Sequence, residues 1–336
     1  MNVALFVPHE GCPRQCSFCN QRSISGKSLR LTDNDVDLAV KTAYGYKATA
    51  AGFKREIAFF GGSFTAIDRG YMIDLLEAAS KYIDGKHFTG IRISTRPDAV
   101  NREICDILKH YGVTAIELGA QSMDDNVLML NRRGHTAKNV VDASALIADC
   151  GFELGLQMMT GLYDSSNEES MATAKKIVSL KPKTVRIYPT VVLQGTHLAE
   201  LLAAGEYKTQ SLDEAVFLCA ELLELFFHEG IEVIRLGLHS GGNVEDDYIA
   251  GPYHPAFREL CESEIYLQKA RLALTKAKIE GGAIKLFVTG SAISQMIGQK
   301  RANISALKAE GYDCKVMPSS GIKKYQVSAE QTDSSE

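Results

Sequence analysis

The chain has 336 residues, of which 45% are hydrophobic and 23% charged, with a formal net charge of −4. This composition excludes a disordered or fibrous protein, and the length allows one large α/β domain plus an appendage. No apolar run reaches the length of a membrane span, and the start Met1–Phe6 lacks the charged region of a secretory leader, so a cytoplasmic protein without a membrane partner is expected. In chain order, the short apolar runs Val3–Val7, Ile57–Phe60, Ile91–Ser94, Ala115–Leu118, Phe152–Met158, Val185–Tyr188 and Ile231–Leu236 read as strands. Between them, apolar residues three and four apart predict helices over Asp33–Ala51, Arg69–Ile83, Arg102–His110, Ala137–Cys150, Glu168–Leu180 and Leu212–His228, with Thr32 and Ser122 as caps. Such alternation predicts an α/β fold, a partial (β/α)6 barrel with a parallel sheet over residues 1–240. Residues 241–280 read as a connecting loop and helix, with His254 as a candidate acid or base or a structural residue. A small α+β module is expected over 281–327: strand Ile284–Val288, helices Ser291–Ile297 and Ala302–Ala309, strands Tyr312–Met317 and Lys323–Val327. The polar end, 328–336, reads as a disordered tail.

The densest chemistry lies near the N-terminus, in Cys12, Cys16 and Cys19, spaced C-x3-C-x2-C with Phe18 before the third cysteine. A [4Fe–4S] cube has four irons, so three thiolates in one loop leave one iron for a non-protein ligand. The alternatives are a zinc site, with His9 as fourth ligand, and part of a disulfide framework. Cys105, Cys150, Cys219, Cys261 and Cys314 stand singly among apolar residues and read as small core residues.

Further motifs fall at predicted strand ends, where barrels of this kind do their chemistry. Gly61-Gly62-Ser63 follows the second strand, and its bare backbone permits close approach to a ligand. Thr95 and Arg96 end the third strand, and the guanidinium fork suits a carboxylate. Glu117, Gln121 and Ser122 belong to the fourth strand and its end, Met158 and Met159 to the fifth, and Arg186 and Tyr188 to the sixth. Lining a pocket and capping a helix are both open to these polar residues. Arg132, Arg133 and His135 form a basic knot, read either as a solvated turn or as a site for phosphate or a substrate carboxylate.

The cysteine spacing resembles that of the radical S-adenosylmethionine (SAM) superfamily. The resemblance implies two cofactors, a [4Fe–4S] cluster held by Cys12, Cys16 and Cys19 and SAM on the open iron, with reductive cleavage of SAM to a 5′-deoxyadenosyl radical. It also implies an electron donor such as flavodoxin or ferredoxin. Phe18, Gly61, Gly62, Ser63, Thr95, Arg96, Gln121 and Tyr188 are then the candidate SAM residues, although Ser63 stands where the Gly-Gly motif often carries a carboxylate. More narrowly, the strings Gly61–Thr65, Thr95–Asp98, Glu117–Ser122, Asn131–Thr136 and Arg186–Thr190 resemble, in order, the catalytic subunit of Elongator and its bacterial and archaeal relatives. That family modifies the wobble uridine of tRNA with a radical SAM barrel and an acetyltransferase domain. The cysteine spacing departs from that family's longer first loop. No acetyl-CoA pyrophosphate loop follows residue 250, so an Elongator-like branch without the acetyl-transfer half is expected.

Within 281–327, the run Met296–Leu307 resembles the core of a KH domain, in which a Gly-x-x-Gly loop between two helices clamps a nucleic-acid backbone. Gly298 matches, Arg301 replaces the second glycine, and Lys300 and Arg301 add charge, which makes these three the candidate RNA-binding residues. From Gly281 to Tyr325 there are seven basic residues and two acidic ones, in a chain that is acidic overall. A basic module of this kind points to a polyanion. The expected function is a radical SAM enzyme acting on RNA, with a tRNA-like substrate. The alternatives are a small metabolite with the C-terminal module as lid or scaffold, and a non-catalytic RNA-binding protein.

Overall fold

The computed structural model describes residues 2–7, 12, 15–20, 29–45, 55–238 and 244–332, and His9 lies outside them. The chain divides into two compact units, the first comprising Met1–Gln210 and Glu229–Pro252, the second Ser211–His228 and Tyr253–Glu336.

The elements run β1 (Val3–Val7), α1 (Asp33–Gly45), β2 (Glu56–Gly61), α2 (Arg69–Ser80), β3 (Gly90–Thr95), α3 (Arg102–His110), β4 (Val113–Gln121), α4 (Asp125–Leu130), α5 (Ala137–Asp149), β5 (Glu153–Thr160), α6 (Asn167–Ser179), β6 (Thr184–Pro189), β7 (Val192–Leu193) and α7 (His197–Ala203). After α8 (Leu212–His228), which belongs to the second unit, come β8 (Glu232–Leu236), α9 (Val244–Asp247) and β9 (Tyr248–Ala250). Seven strands form one sheet in the order β1-β2-β3-β4-β5-β6-β8, all pairs parallel, which is the expected α/β partial barrel with one strand beyond six units. Helix starts follow local chemistry: Asp68, Asn101, Thr136 and Ser166 accept backbone N–H bonds at the first turns of α2, α3, α5 and α6. The cap of α4 is Asp124, which accepts from Asn126 and Val127, whereas the expected cap Ser122 instead accepts from the Asp124 N–H.

The two faces of the sheet differ: one is closed by apolar packing, and the other supplies cavity-lining side chains such as Ser94, Gln157 and Arg186. Ile91, Ile93, Ile116 and Leu118 carry apolar bulk, while the alternate positions carry Arg92, Ser94 and Glu117. Glu117, 1% exposed, accepts two bonds from Arg186 on β6 (2.6 and 3.0 Å) and one from Gln157 on β5 (3.2 Å). Arg92 on β3 approaches it at 3.4 Å and also bonds Glu56 (2.7 Å) and Glu153 (2.8 Å). Room for Glu117 comes from Gly155 opposite it on β5, where a Cβ would meet its side chain. The Arg186 guanidinium also lies over the Phe60 ring, 4.6 Å from its centroid. Five strands are thus tied by one buried ionic ladder.

The second unit contains α8, α10 (Phe257–Ala277), β10 (Gly282–Val288), α11 (Ile293–Ile297), α12 (Ala302–Ala309), β11 (Tyr312–Pro318) and β12 (Ser328–Gln331). Its sheet order is β11-β10-β12, with β10 parallel to β11 and antiparallel to β12. Ile284, Leu286 and Val288 alternate on the buried face of β10. This unit differs from the expectation in two ways. Helix α8 packs with α10, so the division of the chain falls at 211, 229 and 253 instead of 240 and 280. The last strand begins at Ser328, within the stretch expected to be a disordered tail, because its backbone completes the β10 edge at Phe287, Leu286, Lys285 and Ile284.

Gly298, Lys300 and Arg301 lie in the turn between α11 and α12, all with positive φ (78°, 51° and 65°). Lys300 and Arg301 are exposed; Gly298 is buried, and a Cβ there would meet the Asn303 backbone nitrogen at 2.9 Å. Asn303 Nδ2 in turn donates to the Ser263 (2.8 Å) and Gln295 (3.2 Å) carbonyls, so Gly298 permits close packing of the two helices. His254 Nδ1 accepts from the Ala256 N–H (3.0 Å) at the start of α10, a structural bond.

Removing the carboxylate at the centre of the ladder leaves buried Arg186 without an acid among the described residues, while Arg92 keeps Glu56 and Glu153. Glu117→Ala is expected to lower the unfolding free energy by about 3–5 kcal/mol, and Glu117→Gln by less, in urea denaturation followed by circular dichroism.

Candidate active site

A cavity of about 1000 Å³ opens at the C-terminal ends of the strands of the first unit. Its wall includes Cys12, Cys16 and Cys19 together with Phe18, Gly61, Gly62, Thr95, Arg96, Gln121 and Tyr188, so residues that the sequence points to for one ligand arrive from separate stretches of chain. Ser63 is the exception, being 1% exposed and off the wall.

Residues around Cys16 are fixed from two sides. The Ser17 N–H donates to the Asn131 carbonyl (3.1 Å) and its hydroxyl to Asn131 Oδ1 (2.8 Å). From the other side, the Leu198 N–H at the start of α7 donates to the Ser17 carbonyl (2.8 Å), and Asn20 Nδ2 to the Gln194 carbonyl (2.8 Å). Phe18 packs against the apolar cluster of Val192, Leu198 and Tyr207. Arg133, 7% exposed, donates from Nη1 to Cys16 Sγ (3.0 Å) and from Nη2 to the Gly119 carbonyl (2.7 Å). The expected basic knot therefore splits: Arg132 is exposed, whereas Arg133 and His135 turn inward.

Gly61 ends β2 with φ +116°, and a Cβ there would overlap the Val7 carbonyl oxygen on β1. Only glycine fits. Behind the wall, the hydroxyls of Ser63, Thr95 and Thr65 form a chain whose proton order is fixed by its ends. Thr65 Oγ1 donates to the Ala99 carbonyl (2.5 Å), Thr95 to Thr65 (2.6 Å), Ser63 to Thr95 (2.8 Å), and Ser63 Oγ accepts from the Arg96 N–H (3.1 Å). A carboxylate at position 63 could not donate to Thr95, which is a physical reason for the serine. Arg96 is held by a two-bond fork on Asp98 (2.9 and 2.7 Å). Burial opposes the charge of both partners, but their mutual hydrogen bonds and attraction win, raising Arg96 and lowering Asp98 from their ordinary values.

Burial also pushes the Cys12 thiol up, as does neighbouring Cys16, against the lowering effect of Arg133 and Arg96. His135 Nε2 faces the Ala120 carbonyl (3.2 Å), so Nε2 carries the proton. Burial, then the charge of Arg133, lowers its pKa to about 4 and keeps the ring neutral.

Three buried polar atoms on cavity-lining side chains have no hydrogen-bond partner among the described residues: Arg96 Nη1, Arg133 Nε and Gln121 Oε1. Gln121 is also held at φ 67°, a conformation that costs a side-chain-bearing residue energy. A cationic donor at Arg96 and an acceptor at Gln121, beside the bare backbone at Gly61-Gly62, match the charged amino-acid end of SAM. Among the described residues no three His, Cys, Asp or Glu side chains converge closely enough to hold a single metal ion. A cube takes each thiolate on a separate iron, and the three cysteines that line this wall are the donors such a cube needs. On donor chemistry the site fits both cofactors.

The family model described as the radical SAM superfamily matches residues 6–177, and that of the radical SAM C-terminal domain matches residues 182–267. This chain belongs to the radical SAM superfamily. Radical SAM enzymes use a [4Fe–4S] cluster and SAM, and the chain is an enzyme of this class. It is 32% identical over 228 residues to the uncharacterized protein MJ0486 of Methanocaldococcus jannaschii, covering 64% of this chain and 68% of that one. With the tRNA uridine(34) acetyltransferase of Dehalococcoides mccartyi it shares 26% identity over 237 residues, 61% of this chain and 52% of the relative. Of such acetyltransferase relatives the chain spans about half or less. The structure of the archaeal Methanocaldococcus infernus Elp3 superposes with a TM-score of 0.61 at 20% identity, covering 81% of this chain and 63% of that one, a likeness of fold.

In a radical SAM enzyme, Cys12, Cys16 and Cys19 would be the residues to hold a cluster and Gly61, Gly62, Arg96 and Gln121 would face SAM, while Ser63 bonds Thr95 and the Arg96 N–H from behind the wall. When bound, the pair supplies a 5′-deoxyadenosyl radical. Sequence reasoning missed the grip of Asn131 on Ser17 and the approach of Arg133 to Cys16. The only signal was the string Asn131-Arg132-Arg133-Gly134-His135, whose partners at Cys16 and Ser17 lie more than a hundred residues away.

Gly61→Ala is expected to destabilise the protein by more than about 1 kcal/mol, read as a lower midpoint in thermal unfolding. His135 gives a pH dependence. Its folded value of about 4 lies below its ordinary 6.5, so between these pH values the unfolded chain binds the extra proton. Stability is therefore expected to fall with falling pH in that window, by at most about 1.4 kcal/mol per pH unit, and His135→Gln flattens the dependence in urea titrations at pH 7 and 5.

Proposed function

We propose that this radical SAM enzyme modifies RNA, with a tRNA as substrate. The observation that carries the reading is the cavity on which the three cysteines and the Gly61-Gly62 backbone meet, in a chain whose relatives include proteins named tRNA uridine(34) acetyltransferase. The second unit supports it. Lys300 and Arg301 are exposed in a turn with left-handed backbone, and none of Lys285, Lys300, Arg301, Lys308 and Lys315 has an ion-pair partner among the described residues. In this reading the KH-like turn contributes charge to the phosphate backbone, and Gly298 serves the packing beneath it. A base within folded RNA must be splayed out to reach a barrel interior. The electron comes from a donor of the flavodoxin or ferredoxin class, and the compartment is the cytoplasm. Among the described residues no helix is long and apolar enough to cross a membrane.

The test is anaerobic. With reconstituted iron and sulfide, dithionite and SAM, release of 5′-deoxyadenosine is expected, rising when bulk tRNA is added. Release indifferent to tRNA would favour a small metabolite, with the second unit as lid or scaffold, and no release from a protein with an intact cluster would refute the enzymatic reading. The double variant Lys300→Ala, Arg301→Ala is expected to weaken tRNA binding and to lower the slope of log affinity against log salt by about 1 for each phosphate that is no longer neutralised, measured by filter binding.

A further inference from the structure

Arg133 stands out among the charged groups of the cavity. Arg96 shares its charge with Asp98, and Arg186 with Glu117. Arg133 is buried to a similar degree, yet among the described residues it makes no ion pair with any acid. A guanidinium is charged at every accessible pH, and burying it without an anion is costly. The nearest group able to carry negative charge is Cys16 Sγ, to which Nη1 donates at 3.0 Å in a buried contact. We infer that Arg133 is a positioning residue for electron transfer: its charge-assisted hydrogen bond to the Cys16 thiolate raises the reduction potential of the cluster. This rests on the reading that Cys16 ligates a [4Fe–4S] cluster.

The geometry that aims Arg133 is over-determined. Its second terminal nitrogen is anchored on the Gly119 carbonyl (2.7 Å) near the end of β4. Two residues earlier, Asn131 grips Ser17 through both backbone and side chain, so the arginine and its sulfur belong to one bonded assembly. Asn131 is itself fully buried, its Nδ2 donating to the Val127 (2.8 Å) and Tyr163 (3.0 Å) carbonyls. Arg132 with φ 56° and Gly134 with φ 73°, on either side, let the chain turn sharply enough to send Arg132 outward and Arg133 inward.

The effect on potential has a definite sign. Reduction adds one electron to the cluster and concentrates negative charge on iron, sulfide and thiolate sulfur. A buried cation donating to one of those sulfurs stabilises the reduced state more than the oxidised one, and in a low-dielectric wall that difference is not screened away. The cluster is then easier to fill from its donor. Arg133 acts through Cys16 and need not touch SAM.

The experiment compares the midpoint potential of the reconstituted full-length protein, without SAM, in the wild type, Arg133→Gln and Arg133→Lys. It uses dye-mediated titration with dithionite, followed by electron paramagnetic resonance of the reduced cluster, with iron and sulfide content measured on each sample. Arg133→Gln is expected to be at least tenfold harder to reduce, about 59 mV lower for a one-electron couple. Arg133→Lys, which keeps the charge but cannot span Cys16 and Gly119 together, is expected to fall between the two. An unchanged potential in Arg133→Gln at full cluster content overturns the inference and leaves Arg133 free for a ligand instead. Equal falls in both variants also overturn it, since then bracing of the loop and not charge is what was removed. Should Arg133→Gln hold no cluster, Arg133→Lys alone decides: a lower potential supports the inference and an unchanged one overturns it. A wild-type protein that assembles no cluster would refute the cluster reading itself, a separate failure visible in its iron content.

Discussion

All seven strands of the main sheet run the same way, and the site depends on that constraint. In a parallel sheet each strand must be followed by a crossover, so every post-strand loop emerges at one edge. That edge receives the cysteine stretch after β1, Gly61-Gly62 at the end of β2, Thr95-Arg96 at the end of β3, Gln121 at the end of β4 and Tyr188 in β6. Cys12 and Tyr188, 176 positions apart, come to line one cavity although they lie on separate stretches of chain. The ladder of Glu56, Arg92, Glu153, Glu117 and Arg186 ties five of these strands from inside. Its members satisfy one another, so their charge holds the sheet and leaves the cavity's unpartnered atoms on Arg96, Arg133 and Gln121 available to cofactors.

Two different physical devices hold the cavity wall. Behind Gly61-Gly62 a chain of hydroxyls, each donating to the next, positions the Arg96 backbone through Ser63 and Thr95. Its polarity is fixed because the last member faces a carbonyl, which can only accept. At the cysteines, the stretch Cys16–Asn20 is bonded to Asn131 on one flank and to Gln194 and Leu198 on the other. Each bond is worth little by itself. Together they reduce the freedom of the stretch that carries Cys16 and Cys19.

The second unit follows a different logic. Three strands with one apolar face pack on helices, and Lys300, Arg301, Lys308 and Lys315 stand exposed without an acidic partner among the described residues. The left-handed turn at Gly298–Arg301 places two of those charges at the junction of α11 and α12. Such a surface suits a polyanion without specifying its sequence.

By itself the sequence determined the strand and helix alternation, the cysteine spacing, the Gly61-Gly62 turn and the strand-end polar residues. Each is a local signal, set by periodicity, by conformational freedom or by the ligand count of iron, and each is readable within a few residues. It did not determine that Ser63 acts from behind the wall, because the direction of that hydroxyl depends on Thr95 and Ala99, more than thirty residues away. Nor did it reveal that α8 belongs with α10, since an amphipathic helix announces that it will pack but not against what. The strand at Ser328 was hidden for a related reason: a polar edge strand is held by backbone bonds to its neighbour, which leave no mark in side-chain pattern. Arg133 is the sharpest case. A basic string reads as a surface for phosphate, and only the tertiary fold, by turning one arginine out and the next in, set a buried positive charge against a cysteine sulfur.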